Sequence, residues 1–575
     1  MNGALLLVIG GLFLIVGYVV YGRFIGRVLG IDPDRPTPAH TLKDDVDYVP
    51  TRPSILFGHH FSSIAGAGPI VGPVLAAQFG WLAVVLWVVL GCVFIGALHD
   101  MSVLFLSVRN QGRSIGTIIE SLMGYWGRIL FLLFCLVALI LVVAQFTFLV
   151  AGTFISEPSV GTASLLFIFL ATVFGYLVYR KNMNFALATC IFVPLMFGCV
   201  YLGVLYPLNF QTLLGCSRDT ARVIWSFILL AYCFVASVLP VWILLQPRDY
   251  LNSYLLYVMM ALGVVGILVA APTMQLPAFT GWSALNPKSG TMDPVLPMLF
   301  VTVACGACSG FHALVASGTT AKQISNERHI RPIAYGGMLV EGLLALIALI
   351  AVAWMTQADY QAAFKTQSEV SLFARGLAGF TEKLGIPFKS GEVFISLALA
   401  AFLMTTLDTA TRLTRFTWEE LLLPREEHLL RCEEEVPGAI RSVSWIKWLS
   451  NRYVATFVAV AASAALLLGA GTKGLWPIFA SANQLLAALS LLGVTLWLLA
   501  KGKRAWLVFL PMVFMLVTSG LALVNLFRQN VVAWSAKGFS TGGVLTLATA
   551  FLLVMAAVLI GFAATRLYKR KLNHG

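Results

Sequence analysis

Residues 53–73 read PSILFGHHFSSIAGAGPIVGP, an apolar stretch interrupted by two histidines, two serines and a Gly-Ala-Gly-Pro break. Residues 306–320, GACSGFHALVASGTT, have the same character. Gly66, Gly68 and Pro69 disfavour a continuous helix. A helix interrupted within a membrane leaves backbone groups unbonded, which is tolerated only where they line a cavity or are covered by protein. The two stretches therefore predict a pair of broken membrane helices around a substrate pathway.

The composition is that of a membrane protein. Of the 575 residues, 59% are hydrophobic and 11% are charged, whereas a soluble domain carries about 25% charged residues. We predict an all-α, polytopic integral membrane protein with about 15 transmembrane helices, because each apolar run of about 20 residues can cross a bilayer. The predicted spans lie near 4–22, 53–79, 81–108, 127–150, 162–179, 185–206, 221–245, 250–271, 295–321, 333–357, 391–413, 453–470, 476–500, 505–526 and 541–563. The first run lacks a preceding charge and a cleavage-like site, so we expect a retained helix and not a signal peptide.

The formal charge of +13 follows this topology. Most of the 38 Lys and Arg residues fall in alternate connecting segments, and such an excess marks the cytoplasmic side. We predict an outside N-terminus and a cytoplasmic C-terminus, with the lipid bilayer and its anionic head groups as the contact and no nucleic acid. The predicted organisation is an N-terminal peripheral helix at 1–22, a cytoplasmic loop at 23–52, a transport core at 53–413 with broken helices at 53–79 and 295–321, a cytoplasmic loop at 414–452 and C-terminal transmembrane helices at 453–575.

The two unusual stretches share a short internal match. His60 is followed six residues later by Gly66, and His312 is followed six residues later by Gly318. The second stretch is the seventh predicted span after the first, and seven is odd, so the two would cross the membrane in opposite directions. This arrangement is what an inverted-topology repeat requires.

Three acidic residues lie well inside predicted spans. Charged groups in a bilayer cost several kcal/mol unless they are paired or hydrated, so each is a candidate for function. Glu341, flanked by apolar residues, is predicted to carry a proton or to balance a histidine. Asp100 alternatively marks the inner end of its helix. Asp408 alternatively forms a structural pair with Arg412, four residues on.

Histidines and hydroxyls add further candidates. His59, His60 and His312 are predicted to carry a coupling proton or to contact substrate, because histidine titrates near neutral pH; the alternative is a plain helix contact. The hydroxyls of Thr405 and Thr406 are candidates to bind Na⁺ or substrate, or else they bond to the preceding helical turn.

A polar cluster and a cysteine pair have simpler interpretations. Ser481, Asn483 and Gln484 are read as interhelical hydrogen-bonding groups. Cys305 and Cys308 form a CxxC pattern with no second ligand pair nearby, so we expect buried, inert thiols. We expect no metal site and no cofactor apart from a coupling ion.

Five blocks of the chain resemble the signature blocks of the carbon starvation protein A (CstA) family. They are DYVPTRPSILFGHHFSSIAGAGPIVGP at 47–73, GALHD at 96–100, SGFHALVASGTTAKQI at 309–324, TTLDTATRLTRF at 405–416 and FASANQLLAALSLL at 479–492. The resemblance spans nearly the whole chain, with the blocks in family order. The chain looks short beside longer members, chiefly toward the C-terminus.

The resemblance implies a bacterial inner-membrane secondary transporter, similar in core to the LeuT-like amino acid/polyamine/organocation (APC) superfamily, with an inverted repeat and two discontinuous helices. We count more spans between the two broken helices than a LeuT-like repeat has. The family implies peptide import under carbon starvation or pyruvate–proton symport. The resemblance and the residue patterns together indicate the substrate-binding candidates, which are His59, His60, Ser62, Ser63, Gly66, Gly68, Ser309, His312, Ser317 and Thr319. The candidates for proton or ion coupling are Asp100, Glu341, Thr405, Thr406 and Asp408.

We therefore predict a secondary transporter that imports a small carboxylate such as pyruvate by proton symport; uptake of di- or tripeptides and Na⁺ coupling are the alternatives. N–H groups near Gly66–Gly68 and Ser317–Thr319 would hold the carboxylate, and a histidine with Glu341 or Asp100 would carry the proton. The sequence holds no HExxH or P-loop pattern and no evident nucleophile–base set, so we expect no enzyme. A channel would repeat one pore motif, and a sensor would need a larger soluble domain. The oligomeric state is left open.

Overall fold

Helices make up most of the regular structure, because hydrocarbon offers no hydrogen-bond partner and a helix satisfies its own backbone. The computed structural model describes residues 1–44, 48–240, 243–287, 290–422, 444–469, 475–537 and 542–574. Within these ranges one antiparallel hairpin is present, in which β1 (Ser283–Leu285) pairs with β2 (Met292–Pro294) and Ala284 lies opposite Asp293.

The helices follow one another with short connections. The first third of the chain holds α1 (Gly3–Leu29), α2 (Pro38–Thr41), α3 (Pro53–Ile64), α4 (Gly68–Phe79), α5 (Trp81–Arg109), α6 (Ile115–Met123), α7 (Tyr125–Ser156) and α8 (Pro158–Val178). The middle holds α9 (Phe185–Leu205), α10 (Phe210–Leu214), α11 (Arg218–Val238), α12 (Leu245–Ala270), α13 (Val295–Thr302), α14 (Ala304–Ala307), α15 (Gly310–Gly318) and α16 (Glu327–Ala353). The last third holds α17 (Gln357–Thr366), α18 (Glu369–Glu382), α19 (Phe388–Leu422), α20 (Ser444–Leu449), α21 (Arg452–Gly469), α22 (Leu475–Ala500), α23 (Trp506–Lys537) and α24 (Val544–His574).

In the described ranges, 12 helices are long and apolar enough to cross a membrane. Each corresponds to a predicted span. The three other predicted spans correspond to the bent pair α3–α4, to the interrupted run α13–α15 and to the shorter helix α21. The chain is therefore a multi-pass, mostly helical membrane protein, and the total of about 15 spans stays a prediction.

Several helices extend beyond their predicted bounds, and two of them bear on the predicted loops. Helix α1 continues past residue 22 to Leu29, and α19 continues past residue 413 to Leu422. A tertiary contact stabilises the extension of α19. Glu420 accepts hydrogen bonds of 2.9 Å from the hydroxyls of Ser114 and Thr117 at the start of α6. The predicted loop at 414–452 therefore begins as helix; residues 423–443 lie outside the described residues.

Both unusual stretches are interrupted. Helices α3 and α4 meet at an angle of 45° across a short break after Ile64. In the second stretch the backbone is extended at Cys308 and Ser309, with φ of −166° and −128°, between α14 and α15. The first break follows His60, whereas the second precedes His312. The six-residue His-to-Gly match therefore does not align the two breaks.

The broken segments pass so close that glycine is required at the crossing. A Cβ atom on Gly68 would lie 1.9 Å from the Cβ of Cys305, and one on Gly72 would lie 2.7 Å from the carbonyl oxygen of Thr302. From the other segment, a Cβ on Gly306 would lie 3.4 Å from the Cα of Pro69. The glycines of the two stretches thus bring the two interruptions together in the buried core.

Candidate functional site

A narrow cavity lies where the two breaks meet. Its free volume is about 10 Å³, enough for about one water molecule. Thr406 contributes its Oγ1 atom, which has no hydrogen-bond partner among the described residues. The lining combines the two breaks with aromatic side chains: Ile64, Gly66, Gly68, Val142, Phe146, Cys305, Ser309, Phe311, Thr406 and Phe479.

Asn483 on α22 organises the second break. Its Oδ1 accepts a 2.8 Å hydrogen bond from the backbone N–H of Phe311, in the first turn of α15. Its Nδ2 donates to Ser309 Oγ and to Cys305 Sγ, both at 3.0 Å. The amide thus supplies the partner that an unwound backbone needs. This agrees with the interhelical bonding read from the sequence, to which Gln484 adds a 3.3 Å bond to the carbonyl of Phe300.

Beside the second break lies a fully buried group of acids and histidines. Asp100 on α5 bridges two imidazoles, with Oδ1 at 2.7 Å from His99 Nδ1 and Oδ2 at 2.7 Å from His312 Nδ1. Glu341 on α16 places Oε2 3.1 Å from the other ring nitrogen of His312. We call His99, Asp100, His312 and Glu341 the acid–histidine cluster. The structure thus brings together three of the predicted site residues from three separate helices.

The charges of the acid–histidine cluster would be balanced by one additional proton. If His312 is protonated on both ring nitrogens, it lies between two carboxylates, and the sum with His99 neutral is one negative charge. Burying an uncompensated charge is costly, so a proton on Glu341 would neutralise the cluster. The second carboxylate oxygen of Glu341, Oε1, has no hydrogen-bond partner among the described residues. The arrangement can take up and release a proton without other chemistry.

His60 borders the acid–histidine cluster from the first broken segment. Its side chain is fully buried, and Nδ1 lies 2.8 Å from Thr320 Oγ1. The ring lies against Gly337, one turn before Glu341, since a Cβ there would be 3.6 Å from His60 Cδ2. His60 also interacts electrostatically with the acid–histidine cluster. Its Nε2 has no hydrogen-bond partner in the described part of the chain.

A second buried polar group was missed by the sequence reasoning. Arg248 on α12 bonds to Asp408 on α19 and to the hydroxyl of Tyr232. The next residue, Asp249, places Oδ2 3.4 Å from Nδ1 of His59. The signal was present in the run QPRDYLN at 246–252, but the predicted span began at residue 250 and left both charges at its edge.

Thr405 and Arg412 in this region also have partners. Asn252 Nδ2 donates to Thr405 Oγ1 at 2.7 Å, and that hydroxyl also donates to the carbonyl of Ala401. Arg412 donates to the carbonyls of Ala236 and Leu239. Asp408 is therefore held by Arg248, a residue outside its own helix.

The remaining predicted hydroxyls bond to nearby backbone. Ser62 and Ser63 both donate to the carbonyl of His59. Ser317 donates to the carbonyl of Ala313, and Thr319 donates to that of Val315, to which its N–H also bonds. These last two lie at the far end of α15 and do not line the cavity. The structure thus separates Ser317 and Thr319 from the break that Gly66 and Gly68 share with Ser309.

Sequence comparisons identify the family of this chain. The profile described as "Carbon starvation protein CstA" matches residues 2–369 and 360–522. The chain belongs to the CstA family. A relative from Bacillus subtilis (strain 168), named Peptide transporter CstA, is 33% identical over 603 residues, covering 97% of each chain. The Pyruvate/proton symporter BtsT of Escherichia coli (strain K12) is 31% identical over 596 residues, covering 90% of this chain and 80% of the relative.

The CstA relatives differ in length. The Escherichia coli (strain K12) Peptide transporter CstA is 33% identical, and the match covers 88% of this chain but 78% of the relative. The chain is thus matched along most of the Bacillus relative and along less of the Escherichia ones. Among solved structures, a manganese transporter mutant of Eremococcus coleocola gives a TM-score of 0.40 at 11% identity over 92% of this chain. A likeness that weak carries no weight, so the LeuT-like core stays a prediction.

Proposed function

We propose that this CstA-family protein is a secondary active transporter that imports pyruvate, or a similarly small carboxylate, together with a proton under carbon starvation. The observation that carries the proposal is the acid–histidine cluster, buried beside the meeting point of two broken helices. A buried cluster that one further proton would neutralise, next to a cavity lined by both helix breaks, fits ion-coupled transport. BtsT, named as a pyruvate/proton symporter, supports both the substrate and the ion.

The proposed binding site is the cavity between the breaks. N–H groups near Gly66–Gly68, where α4 begins, would hold the carboxylate. The hydroxyls of Ser309 and Thr406 would supply polar contacts, and Phe146 with the other aromatic lining residues would face the methyl group. A cavity this small favours a small substrate. Substrate binding and proton binding would then stabilise the same closed form, which is the basis of coupling.

The proposed mechanism is alternating access by movement of a LeuT-like core with an inverted repeat. Glu341 binds the proton, which neutralises the acid–histidine cluster and lowers the cost of closing it away from water. His312 stays between Asp100 and Glu341 and orients both carboxylates. After reorientation the proton leaves, and the restored charge favours release and return. The protein would lie in the bacterial inner membrane with its N-terminus outside and its C-terminus in the cytoplasm.

Peptide uptake is the second candidate, because several relatives are named peptide transporters. Na⁺ coupling is the alternative for the ion, with Thr405 and Thr406 as oxygen donors. Purified protein in proteoliposomes separates these options. We expect accumulation of labelled pyruvate under an inward proton gradient, no stimulation by a Na⁺ gradient and little uptake of labelled dialanine. Accumulation of the dipeptide instead of pyruvate would show that the substrate is a peptide. Stimulation by a Na⁺ gradient alone would show that the coupling ion is Na⁺.

A further inference from the structure

We infer that His59 and Asp249 form the exit site through which the coupling proton leaves the acid–histidine cluster toward the side where α3 begins. This inference rests on the proposed proton symport and adds a site to it. His59 is the residue before His60 on α3, and its side chain is 19% exposed, whereas that of Asp249 is 1% exposed. The pair therefore joins a fully buried acid to the surface of the protein.

The charges around Asp249 favour a proton at this site. Arg248 is bonded to Asp408 and to Tyr232, and its Nη2 lies 3.5 Å from Asp249 Oδ1. One arginine thus faces two buried carboxylates. Arg248, Asp249 and Asp408 together carry one net negative charge when His59 is neutral. Protonation of His59, 3.4 Å from Asp249 Oδ2, brings the net charge to zero. Histidine is the side chain suited to this exchange between pH 5 and 8.

The position of His59 connects this site with the acid–histidine cluster. The next residue on α3 is His60, whose buried ring lies against Gly337, one turn before Glu341 of the cluster. The order along the path is therefore the acid–histidine cluster, His60, then His59 with Asp249. The ionisable groups on the elements packed against α3 are Arg248, Asp249, Tyr250, Tyr254 and Tyr257 on α12, Lys389, Glu392, Asp408, Arg412, Arg415, Glu419 and Glu420 on α19, His312 on α15, and Glu327, Arg328, His329, Arg331, Tyr335 and Glu341 on α16.

The location fits release to the cytoplasmic side. His59 lies six residues after Pro53, the first residue of α3, a distance of about 9 Å along a helix. The segment before α3 is the predicted cytoplasmic loop at 23–52. Asp249 lies near the start of α12, which follows a predicted inner connection. Both members of the pair are thus near the end of the molecule at which an imported proton must leave.

A transport-independent test reads the protonation of His59 directly. The full chain, labelled with ¹⁵N only in histidine, is placed in liposomes, and solid-state NMR distinguishes neutral imidazole from imidazolium. The NMR signal of His59 is identified as the one that disappears in His59→Gln. In the wild-type chain this signal is expected to change from that of neutral imidazole at pH 8 to that of imidazolium at pH 5. In Asp249→Asn the charged fraction of the same ring at pH 5 should be smaller than in the wild type, because its nearby carboxylate is lost, while the control Asp359→Asn behaves as wild type. A His59 ring that stays neutral at both pH values, or that is unaffected by Asp249→Asn, overturns the inference.

Transport kinetics test the direction of the path. His59→Gln and Asp249→Asn should each lower the initial rate of proton-driven pyruvate uptake about tenfold, with the final accumulation ratio and pyruvate counterflow unchanged. His40→Gln, at an exposed position of α2, is the matched control. An unchanged initial rate, or a lower final ratio, contradicts an exit site. If the wild-type chain takes up no pyruvate at all, the proposed function fails, and the NMR result still decides whether His59 and Asp249 bind a proton.

Discussion

Glu341 is the residue on which the proposed coupling depends. Glu341→Gln keeps the size of the side chain but removes its ability to lose a proton, so the acid–histidine cluster is fixed in its neutral form. We expect proton-driven accumulation of pyruvate to be abolished while counterflow of pyruvate persists, because exchange needs no net proton movement. Labelled uptake and counterflow in the same proteoliposomes measure both. Glu382→Gln, exposed at the end of α18, is the matched control, and normal accumulation in Glu341→Gln would remove Glu341 from the mechanism.

Arg248 and Asp408 make a different prediction, about stability. Removing one partner of a buried ion pair costs about 3–5 kcal/mol, whereas replacing both by apolar side chains is often nearly neutral. Arg248→Met should therefore lower the thermal unfolding temperature in detergent strongly, and Arg248→Met/Asp408→Leu should recover part of the loss.

Lys389 provides the control for this pair. Its ammonium lies 2.6 Å from Glu157, but the side chain is 65% exposed, and exposed pairs contribute at most about 1 kcal/mol. Lys389→Met should leave the unfolding temperature almost unchanged. Equal losses in Lys389→Met and Arg248→Met would contradict a special role for burial, and a double variant less stable than both single variants would contradict the pairing.

At the scale of elements, the crossing of the two broken segments depends on Gly68. Gly68→Ala places a Cβ 1.9 Å from that of Cys305, and overpacking of this kind costs about 1–3 kcal/mol. We expect a lower unfolding temperature and lost uptake, both partly restored in Gly68→Ala/Cys305→Gly, which removes the opposing Cβ. Gly11→Ala is the control, because a Cβ there meets no atom within 4 Å. A double variant as impaired as Gly68→Ala would show that the crossing is not the cause.

The broken segments could be predicted because glycine and proline act locally. Gly66, Gly68 and Pro69 interrupt the first stretch in the sequence itself, and the structure places the break there. The second break could not be aligned by the His-to-Gly match, because it is fixed by Asn483 on a distant helix. The ion pair of Arg248 depends likewise on a tertiary contact with Asp408, and no local pattern in either helix indicates it.

At the scale of the whole molecule, the predicted inner ends of several elements are joined by one ion pair. Arg109, the last residue of α5, binds Glu327 with Nε and Nη2 at 2.8 and 2.9 Å and also donates to the carbonyl of Gly30. Glu327 in turn accepts the N–H of Asp32 at 2.9 Å. Nearby, Thr51 N–H donates to the carbonyl of Gln323, just after the second broken segment. These bonds join Gly30 and Asp32 to Arg109 and Glu327, and Thr51 to the end of the second broken segment.

Breaking this closure should favour the form open to the cytoplasm. Glu327→Gln weakens charge-assisted bonds worth about 1.5–3 kcal/mol, and a tenfold change in an equilibrium corresponds to about 1.4 kcal/mol. A cysteine placed at Thr51, in a chain whose exposed Cys190 is serine, should then react with a maleimide about tenfold faster. Asp219→Asn, at a 91% exposed site in the pair with Arg222, is the control and should leave the rate unchanged. An unchanged rate in Glu327→Gln would mean that this ion pair does not hold the inner side closed, and the closure would then have to come from the packing of α3 against α15.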